Sequence, residues 1–369
     1  MLKIGIMTYY GARNYGASLQ AYALQEVLKV KYNASVINYK SRVINKDYFT
    51  KKTFVEWLKY LAKKILFQKY MLEVKKKDEL FELFNTEFIV PTEIYTEETV
   101  SELNNVFDIV ISGSDQIWND RIFKDDWNYL LPFLNDEKKY SYAASFGGDQ
   151  ILSQNTDRFK LYLQSYKSLL IREQSGYSII KELGIDREDV RVVADPVFLL
   201  SSNEWKNKLK LSCENECDYI AVLIIAKETY ALQYAEKLAK KLNAKVKYIN
   251  IFDYRKIDNP AFESVISAGP IEFLNIVLNA KCVITTSFHA LAFALIFNVP
   301  FYYELNHNKQ NNNDRIIQLS NVFDLNNYEI KNADATGLGE YDWNTINIKM
   351  KDYRNNSLDI LFDSLREEW

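Results

Sequence analysis

Residues 282–300 read CVITTSFHALAFALIFNVP, and this stretch sets the architecture. Val283 and Ile284 form a short apolar strand, while Thr285, Thr286 and Ser287 are residues that cap helices. Ala290 to Phe297 supply an apolar helix body, and Asn298 with Pro300 ends it. His289, one of only two histidines in the chain, falls in the first turn of that helix. There the unpaired backbone N–H groups and the helix dipole favour a bound anion. An imidazole beside an anion site is placed for proton transfer.

Outward from this unit, apolar runs of strand length alternate with helix-period segments. In the first half they are residues 2–7, 16–30, 35–38, 107–111, 140–144, 169–171 and 190–193. A second series follows Asp195-Pro196: 219–225, 230–242, 245–249, a helix from Ile271, 282–285, the His289 helix and 301–303. Such alternation predicts an α/β fold of parallel sheets with crossover helices. The chain has 369 residues, beyond the roughly 250–300 at which single cores stop growing. Two Rossmann-like domains facing across a cleft are therefore expected: residues 1–200, residues 201–350, and a C-terminal helix over 351–369 that packs back across the junction. The boundary falls near residue 200, in the polar stretch 201–215.

Composition narrows the function classes. With a net charge of −3, nucleic acid is not the expected partner. Aromatic residues make up 14% of the chain, including 26 tyrosines, a composition that suits sugar rings as well as cores. Cys213, Cys217 and Cys282 have no histidine or further cysteine at zinc-site spacing, so neither a metal nor another cofactor is implied, and structural thiols in a reducing compartment are expected. The N-terminal residues carry no signal-peptide pattern, and no apolar run reaches the ~18 residues of a spanning helix, so a cytoplasmic protein is expected. Residues 51–77 interleave nine lysines with Phe54, Trp57, Leu58, Leu61, Ile65, Leu66 and Tyr70. That basic amphipathic pattern fits peripheral contact with an anionic membrane, or a solvated helix covering the first domain.

Candidate site residues cluster at strand ends, where open α/β sheets bind ligands. After the first strand, Gly11 and Gly16 permit close backbone approach, and Arg13 and Asn14 offer donors to an acceptor. The spacing is not the GxGxxG of dinucleotide binders. After the strand at 107–111 comes SGSDQIW, in which Asp115 is a helix cap or an acid–base group, and Gln116 with Trp118 suits a hydroxyl-rich ring. Arg172 follows the strand at 168–171. Only 11 of the 46 basic residues are arginine, and a planar bidentate donor here is an anion clamp. Arg315 reaches toward the cleft from the second domain. Asp195-Pro196 reads as a rigid hinge, and His307, in an Asn-rich tract, as an exposed incidental histidine.

Taken in order, residues 14–20 (NYGASLQ), 112–119 (SGSDQIWN), 142–147 (YAASFG), 172–175 (REQS), 194–196 (ADP) and 287–289 (SFH) resemble the polysaccharide pyruvyl transferase family. The resemblance implies a glycosyltransferase-B-like fold and an enzyme that uses phosphoenolpyruvate to place a cyclic pyruvate ketal on a sugar of a bacterial surface polysaccharide or its lipid-linked precursor. It further implies Arg172 as a donor-binding residue and His289 as the catalytic histidine. Some members carry an arginine two residues before that histidine, where this chain has Ser287. The donor anion then falls to Ser287, Phe288 and the helix end, with Arg172 and with Arg315 or Arg13. Two other readings share the cleft: a nucleotide-sugar glycosyltransferase, and a non-catalytic glycan-binding or scaffolding subunit.

Overall fold

The computed structural model describes residues 1–45, 68–213, 218–226, 229–250, 261–306 and 313–366. The first lobe runs β1 (Lys3–Met7), α1 (Tyr15–Leu28), β2 (Asn33–Val36), β3 (Asn38–Tyr39), α2 (Gln68–Phe84), β4 (Ile94–Tyr95), α3 (Leu103–Val106) and β5 (Ile109–Ser112). It continues through α4 (Asp120–Phe123), β6 (Lys139–Ala144), α5 (Thr156–Leu163), β7 (Ser168–Ile171), α6 (Gln174–Glu182) and β8 (Arg191–Val192). Six of these strands pair in parallel in the order β2-β1-β5-β6-β7-β8.

After α7 (Ser202–Leu209), the second lobe runs β9 (Tyr219–Leu223), α8 (Ala231–Leu242), β10 (Lys245–Ile249), β11 (Phe262–Val265), α9 (Pro270–Leu278), β12 (Cys282–Thr285), α10 (Phe288–Phe297), β13 (Phe301–Tyr303) and α11 (Asp314–Phe323). Its sheet is also parallel, in the order β11-β10-β9-β12-β13. The α/β expectation of two Rossmann-like sheets holds. In each sheet the strand order reverses once, between β1 and β5 and between β9 and β12, and those switch points are where open sheets bind ligands.

The two helices that leave the switch points are buried nearly all round. Thirteen of the fourteen residues of α1 and all ten of α10 are inaccessible, because both pack on the segment Pro196–Leu199 that links the lobes. A helix apolar on every face is an interior helix, so the FHALAFALIF run belongs at the junction of two cores. The last helix, α12 (Trp343–Ser364), begins earlier than residues 351–369 predict. It crosses the junction: Ser357 Oγ accepts from Ala194 N at 3.0 Å, Arg354 Nε donates to Phe198 O at 2.8 Å, and Phe362 packs on Tyr32 of the first lobe.

Two stretches singled out in the sequence take the following form. The first half of the 201–215 stretch is α7, started by a capping box between Ser201 and Glu204 and anchored by buried Trp205, whose Nε1 donates to Val197 O. Of the basic segment, residues 51–67 lie outside the described residues, as does His307. The remainder opens α2, where Lys77 is buried and its Nζ donates to Asn250 O of the second lobe at 2.9 Å. Among the described residues, no helix is long and apolar enough to cross a membrane.

Candidate active site

Both switch points converge on His289. It is the second residue of α10, 9% exposed, and its Nε2 lies 3.7 Å from Asp195 Oδ2. On its other side stands Gly16 of α1, placed so that a Cβ there would sit 2.0 Å from Nδ1. Only a glycine lets the two helices meet at this distance. The close approach expected of Gly16 is therefore to the imidazole of the opposite lobe.

Asp195 follows β8 and ties the imidazole to Arg172. Its Oδ2 accepts from Arg172 Nη1 at 2.9 Å, and its Oδ1 accepts from Val197 N at 3.1 Å. Burial alone would raise this carboxyl's pKa. The His289 contact, the Arg172 charge and the Val197 N–H outweigh burial and hold it well below the usual carboxylate range. Arg172 is 2% exposed, with Nε 3.3 Å from Glu173 Oε2 and Nη1 3.9 Å from Asp115 Oδ1. Burial opposes its charge, but the surrounding carboxylates raise its pKa above the ordinary value.

Phe288 is the third element. The Arg172 guanidinium carbon lies 5.7 Å and that of Arg315 5.6 Å from its ring centroid. Burial, and then the like charge of Arg172, bring Arg315 down to about 10, which leaves it charged at neutral pH. Arg172 Nη2, Arg315 Nε and His289 Nε2 are buried without a partner at hydrogen-bond distance, Asp195 Oδ2 standing 3.7 Å from the last of them. Buried polar atoms are almost always paired, so this cluster is exceptional, and Glu173 Oε1 beside Arg172 is likewise unpaired. Three carboxylates, those of Asp115, Glu173 and Asp195, share the cluster with two guanidiniums.

The α10 N-terminus is likewise open. Ser287 precedes the helix without a side-chain capping bond, and its own N–H donates to Thr285 Oγ1. A cap contributes about 1 kcal/mol, whereas burying Phe288, Leu291, Phe293, Leu295, Ile296 and Phe297 contributes roughly 1.5–3 kcal/mol each. The helix is stable without the cap. At the other helix of this switch point the position is filled: Glu304, buried at the end of β13, accepts from Tyr230 N at 3.0 Å and Ala231 N at 2.9 Å at the start of α8.

The remaining sequence candidates lie in the first lobe. Gly113, at φ +132° with Tyr142 O only 2.1 Å from where a Cβ would be, turns the chain so that Asp115 reaches Arg172. Gln116 Oε1 accepts from Asn119 Nδ2, and Asn14 Oδ1 caps α1 by accepting from Ala17 N. Arg13 is exposed and ion-paired with Asp78 of α2. Trp118 corrects the acceptor reading made for it. It is fully buried, with Nε1 donating to Ser112 Oγ and its ring against Phe146 and Tyr166, so it serves the core. Two surface hollows, one lined by Tyr302, Asp334 and Gly337 and one by Asp218, Lys245 and Phe262, contain none of the clustered side chains.

Asp195, Glu173 and Gln318 are the site residues that the sequence reading missed. Gln318 of α11 donates to Arg172 O at 2.9 Å and accepts from Gln174 N at 3.1 Å, bridging the lobes. Asp195 was visible in principle. It stands just beyond a strand's carboxyl end, the criterion that singled out Arg172.

The fold is a two-lobed α/β fold of the glycosyltransferase-B type, with a cluster of buried charged side chains between the lobes. A UDP-N-acetylglucosamine 2-epimerase from Neisseria meningitidis has a similar fold, with TM-score 0.52 at 9% identity and all of both chains covered. A candidate UDP-N-acetylglucosamine 2-epimerase from Listeria monocytogenes matches with the same score and identity over 99% of this chain and 89% of its own. No curated protein matches in sequence. The family model for polysaccharide pyruvyl transferase matches residues 14–308, and the chain belongs to that family.

Proposed function

We propose that the cluster binds phosphoenolpyruvate and that the enzyme transfers its pyruvyl group to a sugar of a bacterial surface polysaccharide or its lipid-linked precursor, forming a cyclic ketal and releasing phosphate. The observation that carries this reading is the set of unpaired nitrogens on Arg172, Arg315 and His289 around Phe288. The two guanidiniums provide for a phosphate and a carboxylate, and the open α10 end adds backbone N–H groups. His289 then faces the methylene carbon C3, double-bonded to the C2 that carries both anionic groups.

In the addition step, an acceptor hydroxyl oxygen bonds to C2 of the donor while C3 takes a proton from His289. The first hydroxyl's proton passes to a carboxylate of the cluster. Phosphate then leaves with the electrons of its C2–O bond, and a second hydroxyl of the same sugar bonds to C2. Of the two protons given up by the acceptor, one replaces that donated to the new methyl group and one leaves with phosphate. Asp195 fixes the imidazole throughout, and closure of the lobes excludes water.

A nucleotide-sugar donor is disfavoured because it brings a diphosphate, and the Glu304 carboxylate already occupies the start of α8. Saturation-transfer NMR separates the donors. Phosphoenolpyruvate is expected to give a signal that UDP and GDP do not displace; a UDP or GDP signal with none from phosphoenolpyruvate overturns the reading.

A further inference from the structure

The first-lobe switch point contains a second group of unpaired polar atoms that the donor site does not use. Tyr9 and Tyr10 follow β1, and Ser114 follows β5. The hydroxyls of all three are buried and have no hydrogen-bond partner. Tyr9 and Ser114 are placed by Gln20 of α1, whose Nε2 donates to Thr8 Oγ1 at 2.9 Å and Tyr9 O at 3.2 Å, while its Oε1 accepts from Ser114 N at 3.3 Å. Thr8 Oγ1 in turn donates to Ser114 O at 3.0 Å. The two loops are thus stitched into one surface by a carboxamide that is itself wholly buried. Tyr9 is held edge-on against Tyr129, with ring centroids 4.8 Å apart.

These groups are neutral. Burial, and then the charges of Asp115 and Asp126, push the Tyr9 phenol well above its ordinary pKa, so it remains a hydroxyl that both donates and accepts. Neutral hydroxyls beside aromatic rings match a polyhydroxyl ring rather than an anion. Next to them, Asp115 lies 3.9 Å from Arg172 and so belongs to the donor cluster as well. We infer that the sugar acceptor lies at this switch point, its hydroxyls bonded to Tyr9, Tyr10 and Ser114 and the attacking one presented to Asp115, which takes its proton as the oxygen bonds to C2 of the donor. The inference rests on the donor reading above. In place of Arg13, Asn14, Gln116 and Trp118, whose side chains already have protein partners, it puts three hydroxyl groups that have no hydrogen-bond partner.

Tyr9→Phe and Ser114→Ala each remove a hydroxyl with no internal partner, so both variants should melt at or above the wild-type temperature. Saturation-transfer NMR with methyl gluco-, galacto- and mannopyranosides, run with phosphoenolpyruvate present, reads the acceptor side. At least one pyranoside should bind the wild type, with affinity about 3- to 10-fold weaker in each variant, the worth of one neutral hydrogen bond. The phosphoenolpyruvate signal should be unchanged. Pyranoside binding that is absent from the wild type or equal in all three proteins overturns the inference, as does a fall in melting temperature that reveals an internal partner. Pyranoside binding without a phosphoenolpyruvate signal overturns the donor reading instead and leaves the acceptor site standing.

Discussion

The Cα of Gly16 faces the imidazole of His289 so closely that a Cβ at position 16 would lie 2.0 Å from Nδ1. Two helices from different lobes meet here through one missing methyl group. Gly16 and His289 are the point at which the lobes register against each other.

Gly16→Ala should therefore hold the lobes apart. Overpacking of this kind costs about 1–3 kcal/mol if the contact is kept, and the lobes avoid that cost by separating. The expected result is a folded protein with normal far-UV circular dichroism and phosphate release lowered about 10-fold or more. Activity within twofold of wild type would show that the catalytic geometry does not need the closed contact.

His289→Ala should lower turnover by ~10² to 10⁴, the usual worth of a general acid or base. Phosphate release with a competent acceptor is the readout. A variant within threefold of wild type would remove the imidazole from the mechanism.

Much of this was legible in the chain because it follows local rules. The 282–300 stretch announces strand, turn and buried helix by its hydropathy, and α10 forms there although Ser287 makes no side-chain cap. Arg172 could be found because a scarce residue type stands at a strand end. The rest depends on contacts between lobes, which no periodicity reports. Asp195 resembles a hinge until the fold brings it to His289 and Arg172. Trp118 follows a loop with ligand-like neighbours, and only the packing of Phe146 and Tyr166 shows it to be interior. Arg13 looked free because Asp78, its partner, comes from a distant helix.

Asp195→Asn tests that hidden link through pH. The folded carboxyl is held below its unfolded value, so its stabilisation is present above the unfolded pKa of about 3.9 and is lost as pH falls toward the folded value. Breaking a buried pair costs about 3–5 kcal/mol. Urea unfolding should show the full deficit of the variant at pH 7 and a smaller one near pH 3. Equal deficits at both would mean that Asp195 is not charged in the folded protein.

Arg315→Gln should move stability and binding in opposite directions. Arg315 is charged at neutral pH although burial and Arg172 bring it down to about 10, so its charge costs stability below that pH. Allowing for its partial exposure, the unliganded variant should gain on the order of 1 kcal/mol. Its affinity for phosphoenolpyruvate should fall about 10-fold, and the wild type's should weaken as pH rises through about 10. A variant that loses stability and keeps donor affinity would make Arg315 a structural residue.

Gln318 offers the sharpest test of how the lobes communicate. It lies one turn beyond Arg315 on α11, and its amide holds both Arg172 O and Gln174 N of the first lobe. One helix thus carries a candidate donor-binding guanidinium and the latch that positions the other. Each lost bond is worth about 1 kcal/mol, so Gln318→Ala should raise the KM for phosphoenolpyruvate about 10-fold while kcat falls less. Gln318→Glu keeps the acceptor for Gln174 N but turns a donor at Arg172 O into a repelled carboxylate. It should therefore raise KM at least as far as the alanine does. Unchanged KM in both variants, with only a lower melting temperature, would reduce the bridge to ordinary packing and leave the positioning of Arg172 to the carboxylates of Asp195 and Glu173.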